Sequence, residues 1–63
     1  MILPRSVWYP KHDGYIRGTY MYKEQSVVVD TIMIAHDSAT VIFNYGVRRI
    51  NIDANEFRRK FEK

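Results

Sequence analysis

The pattern of apolar and polar positions across residues 26–53 predicts a series of short β-strands. Residues 27–35 are almost continuously apolar, and the polar turn residues 36–38 follow them. Residues 40–45 form a second apolar run closed by a turn, and residues 48–53 alternate polar side chains with isoleucine. Strands of this length joined by short polar turns are typical of a small antiparallel sheet or barrel.

The N-terminal third of the chain predicts further extended structure with less regularity. Residues 7–9 precede Pro10, which has no amide donor, so we expect a short edge strand or an extended arm there. Asp13 and Gly14 predict a tight turn. Residues 15–22 predict one more strand, with Gly18 as a bulge or a sharp bend within it. The expected total is four or five strands.

The two-residue alternation also assigns strand faces. In residues 40–45 the alternation places Val41, Phe43 and Tyr45 on one face, and in residues 48–53 it predicts that Ile50 and Ile52 point inward. Residues 27–35 are apolar on both faces, which predicts a central strand or one covered on its second face by the helix.

A short helix is predicted over residues 54–63. Asp53 is a favourable N-cap, and Glu56 three residues later completes a capping-box pattern. Phe57 and Phe61 are four residues apart, so both rings emerge on one side of the helix. Ten residues are too few for an isolated stable helix, so we expect the two rings to dock on the sheet.

These elements define the expected fold class as mainly β (β+α). We expect a small antiparallel SH3-like barrel of 4–5 strands with a short C-terminal helix. A chain of 63 residues has room for one domain. Within this single domain, residues 1–13 are the predicted arm or edge strand, residues 14–53 the sheet and residues 54–63 the helix.

Composition excludes several classes of protein. The chain has no cysteine, which excludes disulfides, thiolate metal sites and cysteine nucleophiles. No apolar run approaches the roughly 20 residues that span a bilayer. Residues 1–4 are too short for a signal peptide and end in proline. We therefore expect a complete, soluble protein of the cytoplasm, and of the host cytoplasm if a phage encodes it.

The net charge of +3 is concentrated near the C-terminus. Basic and acidic residues balance over residues 1–47, whereas residues 48–63 hold six basic residues against three acidic ones. This asymmetry permits a nucleic-acid partner. The nucleic-acid-binding residues would then be Arg48, Arg49, Arg58, Arg59 and Lys60. The plainer interpretation is a solvated helix face, since mixed charge on an exposed helix is ordinary.

No pattern in the chain points to catalysis. His12-Asp13 and His36-Asp37 lack the spacing of a zinc site, and solvated turn residues are the simpler interpretation. The three glycines occur singly, so no phosphate-cradling loop is formed. The available hydroxyls lie in no nucleophile elbow: Ser6, Ser26 and Ser38. We expect a non-enzyme without cofactor or metal.

Aromatic residues are frequent for a chain of this size, which has one Trp and five Tyr. Rings beside arginine on a small barrel can stack single-stranded bases, and the same residue types are enriched in protein–protein hot spots. The alternative is that most of these rings pack the core. The predicted protein-binding residues are Trp8, Tyr9, Arg17, Tyr20 and Tyr22.

The order of several short motifs resembles a known group of proteins. Trp8, the Asp13-Gly14 pair, the segment 41–46 and the Phe57/Phe61 pair occur in an order similar to that of short uncharacterised accessory proteins of lambdoid phages and prophages. His12-Asp13-Gly14 departs from the Asp-Arg-Gly-like turn of that group. The resemblance implies a phage or prophage accessory protein with an SH3-like barrel, and it carries no established activity.

A shorter segment resembles a different family. Residues 46–57, with Arg48 and Arg49, are similar to the wing and final helix of excisionase-like DNA-binding proteins. That resemblance implies that the two arginines touch phosphates or the minor groove. Such proteins need a helix-turn-helix upstream, whereas residues 27–34 here are β-branched and alternating.

The sequence thus predicts a non-catalytic binding module with two alternative partners. The leading expectation is a protein partner, a host protein if the phage resemblance holds, which the module modulates by docking on it. The alternative is nucleic acid. A homodimer could also form through the predicted edge at residues 7–9.

Overall fold

A curled antiparallel sheet dominates the computed structural model, which describes residues 3–63. The elements are β1 (Val7–Pro10), β2 (Gly14–Ile16), β3 (Thr19–Met21), β4 (Val27–Ile34), β5 (Ala39–Tyr45), β6 (Arg48–Asp53), α1 (Ala54–Lys60) and β7 (Phe61–Glu62). Five strands form one sheet in the order β6-β5-β4-β1-β7, and β2 pairs with β3 in a separate two-stranded ladder. The expected fold class is confirmed, as a half-barrel with one short C-terminal helix.

The alternation correctly groups the residues of β5 by face and correctly predicts the inward residues of β6. Val41 and Phe43 are fully buried, Tyr45 packs partly against them, and Ile50 and Ile52 lie in the same core. The two strands pair in register, with Phe43 opposite Ile50. Burial on one face of each strand therefore fixes the register, because a one-residue slip would expose the whole set.

The long strand β4 is central, as predicted, but its second face is uncovered. It lies between β5 and β1, and its register against β5 shifts between Val29 and Thr31. Val28 and Met33 remain exposed on the outer face. The predicted cover by the helix is wrong, because α1 packs on the inner face, where Phe57 meets Phe43.

The strand β1 is not an edge. It pairs with β4 on one side and with β7 on the other, where Tyr9 lies opposite Glu62 and Pro10 opposite Phe61. Pro10 lacks an amide donor, which is why the sequence predicts an edge strand here. In the structure the C-terminal strand β7 pairs with this part of β1. A homodimer through residues 7–9 stays a prediction, although β7 already pairs with Tyr9 and Pro10.

Residues 15–22 form a hairpin rather than one strand. Ile16 and Thr19 pair across a two-residue loop in which both Arg17 and Gly18 have positive φ, 52° and 81°. Two positive φ values are the mark of the tight hairpin turn whose twist matches the strands. The expected Asp13-Gly14 turn is also absent, because Gly14 already pairs with Met21.

The helix is shorter than predicted and ends at Lys60. Asp53 caps it by accepting a hydrogen bond from the Asn55 amide at 2.9 Å, as expected for an N-cap. Phe61 then adopts an extended backbone and begins β7. The predicted docking of both rings is confirmed: Phe57 and Phe61 are buried and stacked at 4.5 Å, although only Phe57 belongs to the helix.

Candidate binding surfaces

Three tyrosines form a contiguous exposed patch on the β2–β3 hairpin, here called the tyrosine cluster: Tyr15, Tyr20 and Tyr22. Tyr15 lies directly opposite Tyr20, and Tyr22 follows two residues later on the same face. The Tyr20 ring meets each of the other two edge-to-face, with centroids 5.0 Å apart. The three side chains are 72%, 40% and 51% exposed, in that order.

The inner face of the same hairpin anchors the cluster. Ile16 and Met21 point to the opposite side from the tyrosines and are buried in the core. Asp13 accepts a hydrogen bond from the Lys23 amide at 2.6 Å, which ties the two ends of the hairpin together. The exposed rings therefore stand on a supported element, and edge-to-face contacts further restrict their orientations.

The structure separates Trp8 and Tyr9 from this cluster. Trp8 lies on the inward face of β1, packs edge-on against Phe57 at 5.1 Å, and donates a hydrogen bond to the Ser6 hydroxyl at 2.7 Å. Tyr9 is exposed on the opposite face, and its ring takes no part in the ring contacts formed among residues 3–63. Trp8 has the contacts of a packing residue, which is the alternative that the sequence left open.

The hairpin turn carries Arg17 toward the start of β6. A groove of about 290 Å³ lies between them, here called the arginine groove, and its lining residues are Arg17, Thr19, Arg48, Arg49, Ile50 and Asn51. Three arginines from two separate parts of the chain are thus among the residues that line one depression. Sequence distance concealed this arrangement, because Arg17 is 31 residues before Arg48.

One carboxylate partly offsets the charge of this groove. Asp30 is the extra residue at the register shift of β4, and its carboxylate lies 2.6 Å from the Arg49 guanidinium. A bulge changes the direction of the side chain at the extra residue, and here the Asp30 carboxylate contacts an arginine of β6. Among residues 3–63, Arg17 and Arg48 form no salt bridge.

The remaining basic residues of the predicted nucleic-acid set lie elsewhere. Arg59 and Lys60 border a separate cleft of about 220 Å³ beside β2, together with His12 and Tyr15. Arg58 lines neither the cleft nor the arginine groove. The five predicted residues are therefore divided over the surface instead of forming one basic track.

Glu56 lies among several of these cations. The hydrogen bond and charge of Lys60, whose ammonium is 2.8 Å from the carboxylate, lower the pKa of Glu56, and the charges of Arg59 and Arg17 lower it further. The surroundings of Glu56 therefore favour its charged form.

The two His-Asp pairs lie apart, one at the cleft and one at the exposed β4–β5 turn. Among residues 3–63, no group of three or more His, Cys, Asp or Glu side chains is arranged to hold a metal ion.

Two functional candidates escaped the sequence reasoning. Tyr15 lies outside the predicted binding set, because the Asp13-Gly14 pair predicts a turn at the point where the first strand of the hairpin begins, so the position of Tyr15 opposite Tyr20 is not evident from the sequence. No sequence feature near Arg17 or Arg48 predicts that they line the same groove, because this depends on how the hairpin folds against β6. An Arg-Gly pair between two apolar alternations was the available hint for the turn.

Comparison of the chain with known protein families, with curated proteins and with solved structures finds no match. The resemblance to phage accessory proteins therefore stays an untested expectation. No helix formed by residues 3–63 has the length and apolar character needed to cross a bilayer.

Proposed function

We propose that this protein is a non-catalytic module that docks on a protein partner through the tyrosine cluster. The observation that carries the proposal is the contiguous exposure of Tyr15, Tyr20 and Tyr22 on a hairpin whose other face is buried. Single exposed apolar residues are ordinary, whereas grouped rings form a contact surface. Tyrosine is among the residues most enriched in binding hot spots, and its few rotatable bonds limit the entropy lost on binding.

The position of Arg17 supports the same assignment. It lies at the tip of the hairpin, and arginine beside tyrosine is the typical composition of a hot-spot region. The module thus presents rings along the hairpin and a guanidinium at its end. The resemblance to prophage accessory proteins adds the proposal that the partner is a bacterial host protein.

The test is a capture assay with immobilised protein and a nuclease-treated bacterial lysate. The expected result is a protein retained by the wild type and lost with the double variant Tyr20→Ser/Tyr22→Ser. Tyr9→Ser is the matched control, because Tyr9 is 41% exposed but lies outside the cluster. Equal retention by both variants, or loss of all binding after nuclease treatment, would contradict the proposal.

A further inference from the structure

We infer that the arginine groove is a binding site for a phosphate monoester dianion, presented by a phosphorylated side chain of the protein partner. This inference rests on the proposed docking function for the identity of the ligand's carrier. The chemistry of the site itself rests on the groove alone. Neither composition nor motif spacing indicates such a site.

The lining of the groove is suited to an oxyanion. Arg17 and Arg48 line it and form no salt bridge among residues 3–63, and Thr19 and Asn51 are polar residues of the same lining. Guanidinium groups donate paired hydrogen bonds in a plane that matches phosphate oxygens, which makes arginine the residue of choice for recognising them. The volume of about 290 Å³ exceeds several times the ~30 Å³ of one water, so a phosphate group fits.

The charge balance favours a dianion over a strand of nucleic acid. Asp30 offsets the charge of Arg49, so the groove carries about two uncompensated positive charges from Arg17 and Arg48. A phosphate monoester at neutral pH carries a charge close to −2. A nucleic-acid strand instead carries one charge per phosphate along its length and requires a continuous basic track. Here the predicted basic residues are divided, with Arg48 and Arg49 at the groove and Arg59 and Lys60 at the separate cleft.

The backbone at Arg17 gives a second, independent argument. A non-glycine residue with φ of 52° is uncommon, and the same position in such turns favours Asn or Asp, or Gly. The chain therefore carries a long cationic side chain where a short one would fold more easily. Local strain of this kind concentrates at ligand-binding positions. This turn residue is also one of those that line the groove beside β6.

The first test uses small probes and no protein partner. Methyl phosphate, a monoester, and dimethyl phosphate, a diester, are titrated into isotope-labelled protein, and the arginine side-chain NMR signals are followed. The expected result is saturable binding of methyl phosphate, on the order of millimolar, with shifts at Arg17, Arg48 and Arg49. Dimethyl phosphate is expected to bind at least about tenfold more weakly.

Arginine variants test whether methyl phosphate binds in the arginine groove. Arg17→Asn and Arg48→Gln are each expected to weaken methyl phosphate binding roughly tenfold or more, because each removes charge-assisted hydrogen bonds. Arg58→Gln is the matched control and is expected to change nothing, since Arg58 lies outside the groove. Absence of saturable binding, or equal loss with Arg58→Gln, would overturn the site.

Two further arms identify the carrier of the phosphate. Phosphatase treatment of the lysate is expected to lower retention of the captured protein at least tenfold, and unchanged retention overturns the assignment to a phosphoprotein. A ten-nucleotide oligothymidylate that binds more tightly than methyl phosphate, with affinity falling steeply between about 50 and 200 mM salt, overturns it in favour of nucleic acid. Because the probe titration needs no partner, failure of the groove and failure of the tyrosine cluster are distinguishable.

Discussion

At the scale of single residues, the turn at Arg17 and Gly18 links stability to binding. Both residues have left-handed backbone conformations, which glycine adopts freely and arginine does not. The pair occupies the two-residue loop that an Asn-Gly sequence favours most. Replacing Arg17 therefore tests two effects separately: the stability that its positive φ costs, and the proposed contribution of its side chain to phosphate binding.

Arg17→Asn is expected to stabilise the fold by about 0.5–1 kcal/mol, because asparagine tolerates positive φ at this turn position. Urea denaturation followed by circular dichroism measures this change. In the phosphate titration described above, the same variant is expected to lose affinity. A variant that is both less stable and equally able to bind would show that the Arg17 side chain supports the fold instead of the ligand.

Gly18→Ala is the complementary change at the second turn position. No atom lies within 4 Å of an added Cβ, so any cost arises from the backbone φ of 81° alone. We expect a loss of about 1 kcal/mol or more in the free energy of unfolding. Thermal denaturation beside the wild type measures it, and an unchanged midpoint would mean that the hairpin adapts its turn without strain.

At the scale of elements, the C-terminal helix and strand close the half-barrel. Phe57 belongs to α1 and Phe61 to β7, and both rings contact Phe43 on β5. Trp8 on β1 packs on the other side of Phe57. One aromatic cluster thus joins β1 and β5 to the consecutive elements α1 and β7 at the C-terminus.

Phe57→Ala is expected to cost roughly 3 kcal/mol or more, since it leaves a cavity where Trp8, Phe43 and Phe61 converge. Phe57→Leu is the matched control and should cost less, because it retains most of the apolar volume. Equilibrium unfolding in urea measures both. Equal and small losses would indicate that the ring is not packed as described.

The Glu56–Lys60 pair adds a contribution to helix stability that depends on pH. The pKa of Glu56 is below its usual 4.5 in the folded protein, because Lys60 donates a hydrogen bond to the carboxylate and attracts it. The contribution is therefore fully present above pH 4.5 and is lost as pH falls through the folded-state pKa.

The stability difference between the wild type and Glu56→Gln is expected to narrow as the pH is lowered from about 6 to below the folded-state pKa. Chemical denaturation at a series of pH values measures it. Because both side chains are substantially exposed, the difference should also shrink in high salt. A difference that is constant with pH would exclude the pair as its source.

At the scale of the whole molecule, stability depends on contacts between the two ends of the chain. The short strand β7 pairs with β1, and the backbone amide of Lys11 also bonds to the carbonyl of Lys60 at 2.8 Å. A domain of this size buries a modest share of its surface, so losing one closing strand removes a large fraction of its stability.

Removal of residues 61–63 is expected to abolish cooperative unfolding, because it deletes β7 together with the buried Phe61 ring. Removal of Lys63 alone is the control and should leave the transition nearly intact, since it takes away one exposed cation over Trp8. Thermal melts followed by near-ultraviolet circular dichroism distinguish the two. A sharp melt in the longer truncation would show that the half-barrel closes without its last strand.

The sequence determined the strands from β4 to β6, the inward face of β6, the helix N-cap and the docking of both phenylalanines. These features depend on spacing between near neighbours: alternation along a strand and a four-residue interval along a helix. Burial of Val41, Phe43, Ile50 and Ile52 follows directly from that alternation. Spacing between near neighbours is enough to predict an element when one of its sides must be apolar.

Only the tertiary structure decided where the ends of the chain pair and which polar residues meet. Whether residues 7–9 form an edge depends on β7, and the meeting of Arg17 with Arg48 depends on how the hairpin lies against β6. Such contacts join residues distant in sequence, and exposed arginines leave no apolar periodicity to indicate them. The core residues of β6 could therefore be predicted from the sequence pattern, whereas both candidate binding surfaces could be identified only in the tertiary structure.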